Sequence, residues 1–445
     1  MGSRRGEVSR RVSRSEQGDP DGSPFFFASR ERRRSADVVA CDGARTAVGA
    51  RFAALAAAGA LAWAAAWADT GADASAHANA NERAAPAAVV VLAAPDLSRL
   101  RALDCVDGRE TASFPLPSTI TSIAIAPKGD AVFVGVGERL ARLQLPALTS
   151  AARETLALDA HSLVAAGGTD AVVLAAGSGE TPLSARDPET LASLHEYRLD
   201  NGRRASVSSI VDRPRRSRIV VAFADLDEIW EIDYRRNAPP VLRGLVHDYR
   251  MREAVELPGR FTPRTFAVPG ATRALVAGSA PHEVLRIDAS GALGVLNLDV
   301  RREIERPPVD AVPAPERIAA WQGESSRGWV LADEAATALR VLDARTWKLA
   351  APLPVEGEVL ALAPMDNGAV LLALDRGGRI ALASVEVEAR RMRELSAAAQ
   401  TGQPPYRLVR GVGGCIALVD AQNRWIAGLM NIKPETRAAA PGQGS

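Results

Sequence analysis

The stretch Arg273-Ala-Leu-Val-Ala-Gly278, followed by Val284-Leu-Arg-Ile-Asp288, has the pattern of two short β-strands joined by a turn. Apolar residues dominate both segments, and Gly and Pro lie in the turns around them, which is typical of short buried strands. The two segments lie inside residues 241–321, between Leu245-Val-His-Asp-Tyr-Arg-Met251 and Val312-Pro-Ala-Pro-Glu-Arg317. The middle of this region predicts one unit of a larger β-fold, and its ends are candidate positions for ligand-binding residues.

The same β-rich pattern recurs eight times along the chain. The eight runs are Ala88-Val-Val-Val-Leu92, Ala131-Val-Phe-Val-Gly135, Ala171-Val-Val-Leu-Ala175, Arg218-Ile-Val-Val-Ala222, Ala274-Leu-Val-Ala-Gly278, Gly328-Trp-Val-Leu-Ala332, Ala369-Val-Leu-Leu-Ala373 and Cys415-Ile-Ala-Leu-Val419. Their starting residues lie 40 to 56 residues apart. A period of about 40–50 residues with several strands per unit is the mark of a β-propeller blade.

We therefore predict an all-β, eight-bladed β-propeller with four-stranded blades over residues 87–432. Seven blades with an irregular closure is the alternative. The segment from Val385 to Ala399 is predicted to be a helical insertion before the last blade. Residues 433–445 are predicted to form a flexible C-terminal tail.

The first 51 residues contain eleven Arg and seven Asp+Glu with few apolar residues, which predicts a disordered basic extension. Residues 52–80 follow, with 17 uncharged residues from Phe52 to Ala68 and small-residue triplets behind them. This composition is typical of a signal peptide, and an uncleaved N-terminal anchor is the alternative. Because a signal peptide rarely follows so long a polar segment, we expect translation to start nearer Val38, Val39 or Val48. The remainder is predicted to face an extracytoplasmic compartment.

The charge balance argues against two classes of partner. Lys+Arg number 54 and Asp+Glu 53, so no net field attracts nucleic acid or an anionic membrane. We predict no nucleic-acid partner, and membrane contact only through an uncleaved N-terminal segment. Cys41, Cys105 and Cys415 lack the spacing for covalent haem or for zinc. Cys105 and Cys415 could form a disulfide if the ends of the domain meet, but two separate thiols is the favoured interpretation.

A ring of polar residues is predicted at the mouth of the central channel, where the inner strands of a propeller begin. Counting back about ten residues from the β-rich runs reaches Thr121, His161, Ser208, Arg264, Arg317 and Glu358. Arginines bind carboxylates through paired hydrogen bonds, so the ring is a candidate site for a carboxylate-bearing ligand. On spacing alone, the favoured alternative is that these residues are ordinary charged residues around a water-filled channel.

Residues 87–432 resemble the d1-haem propeller of cytochrome cd1 nitrite reductase and the related propeller proteins of haem d1 assembly. The resemblance rests on His247-Asp-Tyr-Arg-Met251, Pro258-Gly-Arg-Phe-Thr-Pro-Arg264 and Val295-Leu-Asn-Leu-Asp-Val-Arg-Arg302. Elsewhere it covers only the repeat pattern. It implies an eight-bladed fold, export to the periplasm and a tetrapyrrole pocket at the channel mouth.

The histidines that this family uses are replaced at the matching positions. Phe261-Thr-Pro263 stands where the family has Phe-x-His, and Ala314-Pro-Glu-Arg317 stands where it has a His-Pro-x-Arg-like turn. The position of the iron ligand falls near Thr121, and His161, one repeat later, is the imidazole that could substitute. Nitrite reduction needs an axial ligand and proton donors over the bound anion. We therefore predict no nitrite reductase activity and no catalytic residue.

These observations predict a non-catalytic binding or scaffold propeller without a metal site. The candidate ligand-binding residues are His161, Arg264, Arg317 and His247. Haem d1 or a precursor is a candidate cofactor because the two arginines can pair with carboxylates; a protein at the channel mouth is the other candidate partner. His247 is more simply interpreted as an imidazole oriented by Asp248. The alternative function is a haem d1 biosynthesis enzyme of the dehydrogenase type.

Overall fold

The computed structural model describes residues 88–243, 255–309, 312–333, 335–398 and 402–430. Within these residues eight β-sheets form the blades of a β-propeller, which confirms the predicted all-β, eight-bladed fold. Helix in this part of the chain is limited to 3-10 turns at Asp200–Gly202, Pro214–Arg216 and Pro315–Arg317. No helix among the described residues has the length and apolar character that crossing a membrane requires. The predicted extension, signal or anchor segment and C-terminal tail lie outside the described residues.

The first four sheets contain strands β1–β15 and β18. The first sheet has β1 (Val89–Ala93), β2 (Arg99–Asp104) and β3 (Glu110–Pro115). The second has β4 (Ser122–Ile125), β5 (Ala131–Val136), β6 (Arg139–Gln144) and β7 (Thr149–Thr155). The third has β8 (Ser162–Ala166), β9 (Val172–Ala176), β11 (Leu183–Arg186) and β12 (Ser193–Tyr197). The fourth has β13 (Ala205–Arg213), β14 (Arg218–Phe223), β15 (Glu228–Asp233) and β18 (Pro263–Ala267), with the short β10 (Ser178–Gly179) on the edge of β13.

A separate hairpin, β16 (Val241–Arg243) and β17 (Val255–Leu257), precedes β18. The fifth sheet has β19 (Thr272–Ala277), β20 (Glu283–Asp288), β21 (Leu293–Asn297) and β22 (Arg302–Glu305). The sixth has β23 (Ile318–Gln322), β24 (Arg327–Ala332), β25 (Ala338–Asp343) and β26 (Leu353–Pro354). The seventh has β27 (Glu358–Pro364), β28 (Val370–Asp375), β29 (Ile380–Glu386) and β30 (Arg391–Ala398). The eighth has β31 (Arg407–Arg410), β32 (Cys415–Val419) and β33 (Trp425–Met430).

The β-rich runs of the sequence correspond mostly to the second strand of each sheet. Such a strand is covered on both faces by the neighbouring sheets, so its residues are apolar without interruption rather than alternating. All six residues of β5, for example, are buried. Phe133 of β5 packs with Val173 of β9, and Leu285 of β20 packs with Trp329 of β24. Clusters of this kind between successive sheets form the core.

The helical insertion predicted for residues 385–399 is wrong, because this segment contains the end of β29 and the whole of β30. The two strands are joined by a tight turn in which Arg390 has a φ of 51°. Val385 and Met392 pair across the two strands and pack into the core between the sixth and seventh sheets. The helical interpretation rested on the mixed charges of Glu386, Glu388, Arg390 and Arg391, which are exposed residues at the ends of the two strands and in the turn between them.

The ring closes where the first sheet meets the eighth. Cys105 and Cys415 form a disulfide there, with their Cα atoms 5.7 Å apart. Both sulfurs belong to buried residues, and the backbone N–H of Val412 donates to Val89 O over 2.8 Å beside them. The favoured interpretation of two separate thiols is therefore wrong, since closure of the ring brings together residues that lie 310 positions apart.

Candidate functional site

The first strands of the second to eighth sheets line the central channel and begin at the same face, which we call the mouth. A cavity of about 610 Å³ opens there between the sixth, seventh and eighth sheets. We call it the mouth cavity, and its lining residues are Ala314, Glu316, Arg317, Glu358, Leu360, Asp375, Gly402, Pro404, Pro405 and Tyr406. Its volume lies in the usual range for small-molecule sites.

Two residues predicted from the sequence meet in the mouth cavity. Arg317 ends a 3-10 turn that follows Ala314 and precedes β23, and Glu358 is the first residue of β27. The Nη2 group of Arg317 donates a hydrogen bond to Glu358 Oε1 over 3.1 Å. The guanidinium is thus already paired with a carboxylate of its own chain, which lowers its attraction for a ligand carboxylate.

Acidic side chains exceed basic ones in the mouth cavity. Glu316, Glu358 and Asp375 line it together with a single basic residue, Arg317. Asp375 also accepts a hydrogen bond of 2.7 Å from the backbone N–H of Gly378, which orients its carboxylate. A wall with this charge balance repels anions and attracts cationic groups.

His161 lies directly before β8, at the mouth of the third sheet, and its side chain is exposed. Its Nε2 atom lies 2.9 Å from Val207 O, so Nε2 donates to this carbonyl oxygen and Nδ1 takes no part in the hydrogen bond. Thr121, at the equivalent place in the second sheet, donates its hydroxyl to Ala160 O over 2.5 Å. Both polar side chains therefore bind the backbone of neighbouring strands.

Arg264 does not lie at the mouth. It is part of β18, the outermost strand of the fourth sheet, where it pairs with Glu231 of β15. The ten-residue count failed here because the fifth β-rich run forms β19, the first strand of its sheet, whereas in the second to fourth and sixth to eighth sheets the run forms the second strand. The same count from Glu283, where β20 begins, reaches the exposed Arg273 on β19. The 56-residue spacing before this run was the available sign of an insertion.

The surroundings of Arg264 are a buried network of charges. Its Nη1 atom lies 3.8 Å from Asp233 Oδ2, and its Nη2 donates to Pro239 O over 3.2 Å. Burial, followed by the charge of Arg218, lowers the pKa of Arg264. Burial alone would raise the pKa of Asp233, but hydrogen bonds from Arg235 outweigh it and hold that pKa below its usual value. The carboxylates of Glu231 and Asp233 and the guanidinium of Arg264 therefore interact with groups of the same sheet and its adjoining loop rather than with the channel mouth.

His247 lies outside the described residues. Within the described ranges, no group of three or more His, Cys, Asp and Glu side chains is arranged to hold a metal ion.

The mouth fits haem d1 poorly. A haem needs an axial iron ligand and partners for its carboxylates. His161 has its Nδ1 outside the hydrogen bond to Val207, but Arg264 is absent from the mouth and Arg317 is bound to Glu358. The acidic balance of the mouth cavity adds repulsion to each haem carboxylate.

No protein-family model and no curated protein matches the chain. Its fold is similar to that of a solved structure, dihydro-haem d1 dehydrogenase NirN in complex with DHE, with a TM-score of 0.56 and 16% identity over 80% of this chain and 76% of that one. BamB from Moraxella catarrhalis is similar with a TM-score of 0.49 and 12% identity, over 77% of this chain and 92% of that one. At these identities the likeness concerns the fold alone.

Proposed function

We propose that this chain is an exported, d1-type propeller that acts as a non-enzymatic binding or scaffold protein and has no nitrite reductase activity. The observation that carries the proposal is the state of the mouth cavity, where Glu358 neutralises Arg317 while Glu316 and Asp375 leave an excess of negative charge. Such a surface favours a cationic partner over a carboxylate-bearing tetrapyrrole.

Export is supported by two independent features. The segment at residues 52–80 has the composition of a signal peptide. The Cys105–Cys415 disulfide joins the first sheet to the eighth, and disulfides persist mainly in oxidising compartments such as the periplasm. A membrane anchor formed by an uncleaved N-terminal segment stays the alternative to a soluble exported form.

Adding haem d1 to the purified protein tests the proposal through the visible absorption spectrum. We expect no band shift at micromolar protein and no nitrite consumption above that of free haem d1 with the same reductant. The double variant Glu316→Gln/Glu358→Gln removes two negative charges and frees Arg317, so it should bind haem d1 more tightly than the parent. Asp366→Asn, at the opposite end of the channel, is the matched control and should leave the spectrum unchanged.

The alternative function, a dehydrogenase that acts on a haem d1 precursor, is favoured by one observation. The hydrogen bond from His161 Nε2 to Val207 O leaves Nδ1 as a lone-pair donor, and metal-ligating histidines commonly donate their other nitrogen to a backbone carbonyl. A shifted haem band in the parent protein that disappears in His161→Ala would overturn the non-enzymatic proposal in favour of this one.

A further inference from the structure

The first sheet is built differently from the seven others in the described part of the chain. Its strand β1 begins near the end of β31, because the N–H of Val412 donates to Val89 O over 2.8 Å. Beyond the other end of β1, Leu97 O accepts a hydrogen bond of 3.1 Å from the N–H of Ile120, just before β4. Strand β1 therefore runs antiparallel to β31 and β4, the inner strands of the two neighbouring sheets. This is the direction that the second strand has in the other sheets.

The packing of β1 leads to the same conclusion. Val90 and Leu92 share a buried cluster with Ala417 and Val419 of β32, which is the second strand of the eighth sheet. Strand β1 is thus set back from the channel by the width of one strand. Within the described residues, the position of an inner strand is open between β31 and β4.

A cavity of about 890 Å³ occupies this position, and we call it the first-sheet groove. Its lining consists mostly of apolar residues of β1, β4 and β31 and the turns beside them, including Val91, Ala93, Ile123, Ile125 and Val409. The groove reaches the mouth at Glu316, Pro405 and Tyr406, which also line the mouth cavity.

The edge of β1 that faces the groove has backbone groups available for pairing. The N–H of Cys105 donates to Ala88 O over 3.0 Å, and the N–H of Ala94 donates to Arg99 O over 2.8 Å. In the antiparallel register, even-numbered residues of β1 therefore bond to β2, and Val91 and Ala93 direct N–H and C=O away from it. Val91 and Ala93 are only 2% and 4% exposed. Buried N–H and C=O groups that point away from β2 favour hydrogen bonding to the backbone of another extended segment.

We propose that the first-sheet groove binds an extended segment of a partner protein, which adds to β1 as an antiparallel inner strand. The inference rests on the proposed binding function and names the class of partner. Main-chain hydrogen bonds to Val91 and Ala93 supply recognition of an extended backbone, and apolar side chains at alternate positions of the segment pack on Ile123, Ile125 and Val409.

The charges at the two ends of the groove fit this direction of binding. A segment antiparallel to β1 enters with its N-terminal end at the mouth, beside Glu316 and the acidic mouth cavity. Its C-terminal end reaches the far end of the channel, where Lys128, Arg410 and Asp366 line a cavity. Arg410 is already paired with Asp366 over 3.1 Å, so Lys128 supplies the positive charge at this end. The expected segment is therefore basic at its start, apolar at alternate positions and acidic at its end.

The neighbouring parts of the same chain have the wrong composition for this strand. Residues 79–87, which precede β1, contain no β-branched or aromatic residue, and residues 431–445 contain Pro434, Pro441 and two glycines. Such segments have low strand propensity. Their composition favours a separate partner as the occupant.

The test uses the full-length oxidised protein and a synthetic heptapeptide with lysine first, glutamate last and alternating valine and threonine between them. Fluorescence anisotropy measures binding, and hydrogen exchange measures the protection of the Val91 and Ala93 amides. We expect saturable binding and slower exchange of both amides. The peptide with its terminal charges exchanged should bind roughly tenfold more weakly, and N-methylation of alternate peptide amides should abolish binding.

Val91→Pro removes one edge donor without touching the bonds to β2, and it should weaken binding about tenfold relative to Val91→Ala, which keeps that donor. Three results would overturn the proposal. These are no binding of the heptapeptide, equal binding of its N-methylated form, and strong protection of Val91 and Ala93 before any peptide is added. The last result would assign the groove to a segment of the same chain. None of them affects the haem d1 titration, which tests the proposed function separately.

Discussion

Breaking the Cys105–Cys415 disulfide is expected to lower the free energy of unfolding substantially, because the bond closes a loop of 310 residues. A cross-link restricts the unfolded chain by an amount that grows with the logarithm of loop length, and for so long a loop the chain-entropy relation gives about 5 to 6 kcal/mol. Strain and residual structure usually reduce that value. We expect a loss of about 3 to 5 kcal/mol.

The assay is guanidinium unfolding followed by tryptophan fluorescence, with oxidised and reduced samples of the same Cys41→Ala chain. Comparing two redox states of one chain isolates the bond from side-chain packing. A Cys105→Ala/Cys415→Ala variant should unfold at the midpoint of the reduced sample or slightly below it, and should not respond to reductant. Coincident midpoints for the oxidised and reduced Cys41→Ala chain would refute the argument that this bond holds the ring closed.

Three further predictions concern packing and pH. Glu388 accepts hydrogen bonds from Ser325 and Ser326, which lower its pKa to about 2 from 4.5. Glu388→Gln should therefore lower the thermal midpoint above pH 4.5, with the difference vanishing as pH falls towards 2, whereas Glu386→Gln, at a surface pair with Arg391, should change it little at any pH. Tyr234→Phe removes a buried hydrogen bond of 2.9 Å to Gly167 O and should cost about 1 to 2 kcal/mol in urea unfolding; an unchanged midpoint would contradict that contact. Gly428→Ala would push a Cβ into Cys105 O, so we expect loss of the folded protein on size-exclusion chromatography, and a native elution volume would show that the backbone yields there.

The repeat pattern predicted the architecture well because the second strand of a propeller blade is buried on both faces. Its sequence must then be a continuous apolar run, and eight such runs are visible without any structure. The outer strands carry no comparable signal. Residues 391–396 carry three exposed charged side chains, and their composition alone does not distinguish a strand from a helix.

The candidate site was less predictable because its residues come from different repeats. A small error in aligning one repeat with the next assigns a residue to the wrong strand. Arg317 and Glu358 were found by the ten-residue count and do meet. Arg264 was misplaced because the fifth β-rich run forms β19, the first strand of its sheet, so that counting back ten residues reaches the outer strand β18 of the preceding sheet. Asp375 and Glu316 were not singled out, because a charge at the end of a strand gives no sign of the cavity it faces.

The meeting of the first and eighth sheets places both ends of the described chain together. Val89 contacts the turn after β31, and Met430 pairs with Cys415 in the strand next to that turn. A short linker could therefore join residue 430 to residue 88, and a circularly permuted chain could begin instead at the exposed Gly377-Gly378 turn between β28 and β29. The order in which the blades leave the ribosome would change while every sheet kept its neighbours.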